Sequence, residues 1–241
     1  MKLLEMVGNV MFENIKSEEN AIAVQNELNK LIVLNNNFDY KALSIVAGVD
    51  LAYWHDSGIE YAVCCIVVID FNTKDVLEKA HTVSSVNFPY IPGCLAFREL
   101  PLVLETSKKL KHDVDLYIFD GNGYLHPRHM GIATHAAICM NKPTIGVAKS
   151  YYKIGDVDFI MPENYAGAYT DIIINNEIYG RTIRTHKDVK PIFVSVGNYI
   201  DLETSTNIVN KLVTHESHIP IATRLADLET HRMRIMYKTN E

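Results

Sequence analysis

The chain is poor in the features that staple, anchor or cover a protein. Its four cysteines, Cys64, Cys65, Cys94 and Cys139, show no C-x-x-C spacing. Neither a disulfide framework nor a zinc site is indicated, and reduced, mostly buried thiols are expected, as in a cytoplasmic protein. His126, His129 and His135 lie near one another but lack the paired spacing of zinc ligands. The longest apolar run, Tyr61–Ile69, has nine residues, where a bilayer span needs roughly 20, so no membrane association is expected. Glu5 and Glu13 interrupt the N-terminal apolar residues, which argues against a signal peptide. There is no internal repeat, low-complexity tract or linker, so residues 1–241 are expected to form a single domain. A glycine-rich phosphate loop is absent, which argues against a sugar-kinase-type ATPase. An excess of basic charge is absent too. With 23 Lys and Arg against 29 Asp and Glu, the net charge is −6. That argues against a surface that binds nucleic acid everywhere by neutralising phosphate. It leaves open a local groove, or one whose acids are masked by a divalent metal.

What is present is a sequence of strand and helix patterns. Residues 13–30 alternate charged and apolar positions at helical spacing, as in a helix packed on the outside of a sheet. Leu43–Ala52, Ile59–Phe71 and Asp75–Val86 read as a meander of strands, with turns at His55–Gly58 and Asn72–Lys74. After the rigid Pro89–Gly93 loop, a helix is expected from Leu95 to Leu110, with Pro101 either kinking it or sitting in its first turn. Leu116–Phe119, Met130–Met140 and Pro143–Ala148 form a strand, helix and strand in βαβ order. Tyr169–Ile174 and Glu177–Arg184 flank Asn175–Asn176 as a hairpin. Pro191–Val196 is a strand ended by Gly197, and Leu202–Thr214 and Ala222–Met236 are helical. The order predicts an α/β fold, a mixed sheet with helices on both faces, of the ribonuclease H-like kind.

Polar residues stand where the central strands end, the place where open α/β sheets bind ligands. Asp50 follows Val46, Ala47 and Val49, and Asp120 ends Ile118–Phe119 before a glycine. On neighbouring strands the two carboxylates would reach one hard cation such as Mg²⁺, although a solvated strand-end aspartate has the same pattern. Lys149 ends the next strand, where it could hold a phosphate or simply face solvent. Glu99 lies at the start of a helix, and a first-turn glutamate also suits the helix dipole. Tyr90 sits between two prolines, where an aromatic can stack on a base or pack within its own loop. Asp227, after Thr223 and Arg224 on the last helix, is a weaker candidate.

These residues carry a resemblance to the endonuclease V family. Val46–Leu51 (VAGVDL) resembles its first acidic strand, and Pro89–Pro101 (PYIPGCLAFRELP) its PYIPGFLxFRExP signature. Asp120–His135 (DGNGYLHPRHMGIATH) resembles DGHGxxHPRRxGxAsH, Pro143–Lys149 (PTIGVAK) matches throughout, and Ile219–Asp227 (IPIATRLAD) resembles LPEPTRxAD. The matches fall in family order between residues 46 and 227. The resemblance implies a Mg²⁺-dependent nuclease, with Mn²⁺ as a substitute metal. It implies recognition of inosine in DNA, with RNA as the alternative, and hydrolysis of the second phosphodiester bond on the 3′ side. By position, it implies metal binding by Asp50, Glu99 and Asp120, catalytic roles for these and for His126 and Lys149, and a further polar role for Asp227. Tyr90 falls on the strand-separating wedge, and Gly93, Leu95, Gly121 and Ile132 on the pocket for an extruded hypoxanthine.

The chain departs from the family pattern at Asn122 (a histidine in DGHG), His129 (the second arginine of PRR), Cys94 (a phenylalanine) and Ile221 (the acid of LPEP). None of these is an acid, histidine or lysine of the implied catalytic set. Competing readings are a ribonuclease H-like nuclease with another lesion as target and a non-catalytic inosine-binding protein. Three clustered carboxylates speak against the latter, because without metal they repel phosphate. A monomer working in DNA repair is expected.

Overall fold

The computed structural model describes residues 15 and 17–239. In chain order the elements are α1 (Glu18–Asn29), a 3₁₀ turn (Tyr40–Ala42), β1 (Ile45–Asp56), β2 (Ile59–Asp70), β3 (Val76–Ser85), α2 (Leu95–Ser107), β4 (Leu116–Asp120), α3 (Ile132–Met140) and β5 (Thr144–Ala148). There follow β6 (Tyr169–Ile174), β7 (Glu177–Ile183), β8 (Ile192–Asn198), α4 (Leu202–Leu212) and α5 (Ile221–Thr239). All eight strands join one sheet in the order β3-β2-β1-β4-β5-β8-β7-β6. Strands β1, β4 and β5 pair in parallel, and every other neighbour is antiparallel.

The sheet is mixed for a local reason. The meander strands are joined by connections of two and five residues, and so run antiparallel. The β1–β2 turn puts Ser57 at φ 46° and Gly58 at φ 81°, the positive angles that match the twist of a tight hairpin. Asn175 (φ 52°) and Asn176 (φ 66°) do the same between β6 and β7. The β4–α3–β5 segment has a helix with which to cross over, and its strands run parallel.

Alternation along the central strands divides the core into two layers. Val46, Leu116, Ile118, Ile145 and Val147 pack with Ile208, Val209 and Leu212 of α4 and Ala222 and Ala226 of α5. Ala47, Val49, Tyr117 and Phe119 face the opposite way, toward Leu100 and Val103 of α2 and Ile132, Ala133 and Ala136 of α3. The approach of α5 to β1 is closest at Gly48, where a Cβ would lie 2.1 Å from the Ala222 carbonyl carbon.

Several sequence expectations shift. Strand β1 runs on to Asp56, so Asp50 is inside it; what ends near Asp50 is the pairing with β4, whose last register pair is Val49 with Phe119. Pro101 lies in the middle of α2, beyond its first turn. Strand β8 continues through Gly197 to Asn198. Helix α1 starts at Glu18, capped by Ser17; residues 13, 14 and 16 of the expected helix lie outside the described residues. It does not lie on the sheet: Ala21 packs with Cys94 and Phe97, and Leu28 with Met130 and Ile138. The four cysteines are free, and all but Cys139 are buried.

Candidate active site

Where β4 ends, β1 loses its neighbour on that side, and a crevice opens along the carboxyl edge of the parallel strands. Asp50 and Asp120 border it, one residue past the last β1–β4 pair. Lys149, the residue after β5, ion-pairs with Asp120 (Nζ to Oδ2, 2.6 Å) and approaches Asp227 (3.6 Å). Helix α5 lies over this edge with helical spacing. Asp227 faces the lysine, Arg224 one turn earlier holds its other oxygen (2.9 Å), and Thr230 one turn later donates a hydrogen bond to Asp50 Oδ2 (2.8 Å). Glu99 enters from the opposite layer, on α2, and is only 8% exposed. The Tyr53 hydroxyl donates to its Oε1 at 2.6 Å.

The electrostatics are those of a crowded anion site. Burial first, then the charges of Asp120 and Asp227, push the Asp50 carboxyl up to about 6, against the Thr230 hydrogen bond. Burial pushes Glu99 up to about 7, with Asp50 adding to it and the Tyr53 bond opposing it. For Lys149, burial alone would depress the ammonium, but Asp120 and Asp227 outweigh it and raise its pKa. Among the described residues no three His, Cys, Asp or Glu side chains form a ready-made metal-binding group. The donor chemistry fits a hard divalent cation nonetheless. Asp50, Glu99 and Asp120 offer only oxygen, and burial, reinforced by the neighbouring carboxylates, raises the Asp50 and Glu99 carboxyls, a cost that a bound cation would relieve.

Beside the carboxylates lies an open cavity of about 120 Å³, lined by Tyr90, Gly93, Leu95, Asn122, His126, Ile132 and Tyr152 among others. Two elements connect it to the acids. Leu95 stands one turn before Glu99 on α2, and Gly121–Asn122 directly follow Asp120. Gly121 is held by its N–H to the Val147 carbonyl (3.1 Å) and has room only for a hydrogen, since a Cβ would be 2.8 Å from Ile132 Cγ2. Tyr90 is 70% exposed at the cavity mouth, so packing within its loop does not account for it.

The Gly93 carbonyl is the fixed point of the cavity wall. It accepts from Gln25 Nε2 (2.8 Å), Arg128 Nη2 (2.9 Å) and His126 Nε2 (3.0 Å). His126 Nδ1 accepts from the backbone N–H groups of Arg128 and Met130. That arrangement fixes the tautomer with the proton on Nε2. Burial, reinforced by Arg128, depresses the ring's pKa to about 4. His126 is thus a neutral member of the cavity wall with both nitrogens engaged. Asp50, Glu99, Asp120, Lys149 and Asp227 come together at the crevice, and Tyr90, Gly93, Leu95, His126 and Ile132 at the cavity, with Gly121 between them.

Sequence reasoning missed Tyr152 as a cavity residue, Tyr53 and Thr230 as partners of the acids, and Gln25 as a partner of Gly93. No local signal marks them. Among the departures, His129 stacks on Tyr124 (centroids 4.0 Å apart) and faces Glu177 at 3.7 Å. Cys94 is buried at the start of α2.

A mixed sheet with acids at the end of its parallel strands, flanked by helices on both faces, is the ribonuclease H-like architecture. The profile of the family Endonuclease V matches residues 26–228, and the chain belongs to that family. Endonuclease V of Bacillus thuringiensis subsp. konkukian is 60% identical over 223 residues, covering 92% of this chain and 95% of that one. The crystal structure of Endonuclease V from Bacillus subtilis is 53% identical and covers 95% of this chain and 96% of its own, with a TM-score of 0.92. Ciona intestinalis Endonuclease V, solved in complex with a 24mer DNA containing an inosine followed by a ribo-adenosine, is 28% identical, with a TM-score of 0.78 over 90% of this chain and 96% of that one.

Proposed function

We propose that this protein is a divalent-metal-dependent endonuclease that recognises inosine in nucleic acid and hydrolyses the second phosphodiester bond on its 3′ side, in the service of DNA repair. The observation that carries the reading is the junction of an open cavity with a carboxylate cluster through Asp120–Gly121–Asn122 and through α2. A base must leave the stack to enter such a cavity, and its backbone then runs toward the acids. The inosine-containing DNA bound by the Ciona relative supports the substrate class. We further propose that it acts in the cytoplasm as a monomer.

Asp50, Glu99 and Asp120 would hold the metal. Mg²⁺, or Mn²⁺ in its place, would acidify an attacking water and stabilise charge developing on the phosphate oxygens. Thr230 and Tyr53 orient two of the three carboxylates. Lys149, held between Asp120 and Asp227, neutralises a non-bridging phosphate oxygen. Tyr90 stacks at the mouth, occupying the space the extruded base leaves. Gly93, Leu95, Gly121 and Ile132 enclose the base, and His126 acts by fixing the Gly93 carbonyl.

The test is cleavage of matched DNA and RNA oligonucleotides, each with one inosine, in Mg²⁺ and in EDTA. Cutting is expected one nucleotide beyond inosine, only with metal, and the faster substrate decides between DNA and RNA. Asp120→Asn should lower the rate by at least a hundredfold while thermal unfolding stays cooperative. Metal-independent cutting, or an unchanged rate in the variant, would sink the assignment.

A further inference from the structure

One buried guanidinium stands between the cavity mouth and the carboxylates. The Arg98 side chain is 7% exposed, and a buried arginine is a planar fork whose donors need fixed partners. Nη1 donates at 2.9 Å to the carbonyl of Phe88, the residue before the Pro89–Gly93 loop. Nη2 donates to Glu60 Oε1 on β2, and the Glu60 backbone carbonyl takes the Val86 N–H (2.8 Å), just past β3. The face of the guanidinium lies over the Tyr53 ring, 4.6 Å from its centre. Tyr53 in turn donates its hydroxyl to Glu99 (2.6 Å). Burial first, then the Glu99 charge, hold that phenol well above its ordinary pKa, so it stays a donor. The mouth loop is thus pinned at both ends, Gly93 by the three donors described above and Phe88 by Arg98. Arg98 and Glu99 are adjacent on α2, yet they meet Tyr53 from different sides, one at the ring face and one at the hydroxyl.

We infer that Arg98 is a positioning residue, setting Tyr90 at the cavity mouth through Phe88 and Glu99 at the carboxylate cluster through Tyr53. The inference rests on the function proposed above and deepens it. A lysine in this place would keep the charge without the fork. A single ammonium cannot hold the Glu60 carboxylate and the Phe88 carbonyl in one plane while lying flat on the ring. The loop and the tyrosine would each lose a constraint at one substitution, although they serve different steps, strand parting and metal binding.

The experiment uses the full chain and reads two quantities. One is Kd in EDTA for inosine oligonucleotides, duplex and unpaired, with an adenosine duplex as reference; the other is Kd for Mn²⁺ alone, by calorimetry. Tyr53→Phe, which removes only the hydroxyl on Glu99, is expected to weaken Mn²⁺ binding about tenfold. Arg98→Lys should weaken Mn²⁺ and duplex binding each by about threefold or more, with the unpaired oligonucleotide within about twofold of the parent. In a Tyr53→Phe background Arg98→Lys should cost no further Mn²⁺ affinity, because the path to Glu99 is already cut. In a Tyr90→Ala background it should cost no further duplex affinity. Glu60→Gln loosens the guanidinium from a partly exposed carboxylate; it should shift both quantities the same way, and it carries the test if Arg98→Lys does not fold. Unchanged Mn²⁺ or duplex binding in the folded variant, equal losses on duplex and unpaired substrate, or full additivity in either double variant overturns the inference and leaves the proposed function standing. A parent protein that binds the inosine duplex no better than the adenosine duplex overturns both.

Discussion

Tyr90 and Glu99 show how much a residue's role depends on what surrounds it. Both sit in the Pro89–Pro101 stretch, yet one is 70% exposed at a cavity mouth and the other is 8% exposed under a tyrosine hydroxyl. An aromatic left in water beside a cavity is expected to stack on a base, a contact typically worth about 1–3 kcal/mol. Tyr90→Ala should therefore weaken binding to inosine in a duplex tenfold or more, where strands must be parted. It should affect an unpaired inosine oligonucleotide less. Fluorescence anisotropy on the two substrates checks this, and equal losses would count against a wedge role. Glu99 is different: it lies beyond the first turn of α2, so the helix dipole does not account for it, and its burial and its contact with Tyr53 turn it toward the carboxylates.

At the scale of elements, α5 does the most to assemble the site. Arg224, Asp227 and Thr230 recur every three residues, so one face of the helix meets Lys149 and Asp50 together. That face is held at the right height by Gly48, which lets the helix start lie against β1. Gly48→Ala would drive a methyl into the Ala222–Thr223 backbone, which cannot rotate aside as a side chain could. A loss of about 1–3 kcal/mol or more in stability is expected, read as a lower urea midpoint at unchanged m-value. A variant as stable as the parent would mean that α5 sits less closely on the sheet than 2.1 Å implies. Helix α1 has an analogous task. Through Gln25 and Asn29 it ties the Gly93 and Arg128 carbonyls, which is why it sits over the cavity loops and not on the sheet.

The molecule as a whole carries buried ionisable groups of opposite tendency. Burial depresses the imidazoles of His126 and His135 to about 4 and about 3, from an ordinary value of 6.5. Unfolding lets both rings take up protons once the pH drops below about 6.5, so their contribution is fully present above that value and is lost as pH falls toward 4 and below. Asp50 and Glu99, raised to about 6 and about 7, run the other way: their contribution is present below about 4 and is lost as pH rises through 6 to 7. The two trends overlap, so the net stability curve is a blunt probe. The ring ¹⁵N shifts are sharper: at pH 5 His126 and His135 should both remain neutral in the folded protein. Protonation of either with a midpoint near 6.5 would mean that the ring is not enclosed as described.

Much of this was legible in the sequence because it is local. Alternation set the strand faces, Asn175–Asn176 and Ser57–Gly58 set the hairpins, and charged residues following apolar runs marked Asp50, Asp120 and Lys149 as neighbours of one crevice. The family motifs between residues 46 and 227 supplied the remaining candidates. Local pattern did not reveal that β1 runs past Asp50 to Asp56, because that extension is held by pairing with β2. It could not place α1 over the cavity, since an amphipathic stripe does not name its partner. Nor could it pair Tyr53 with Glu99, Thr230 with Asp50 or Gln25 with Gly93, separated by 46, 180 and 68 residues. The sequence alone determined which residues are candidates for the chemistry and on which strands and helices they ride. The tertiary structure decided their protonation and their partners, because burial and hydrogen bonding are properties of surroundings that only the packed chain creates.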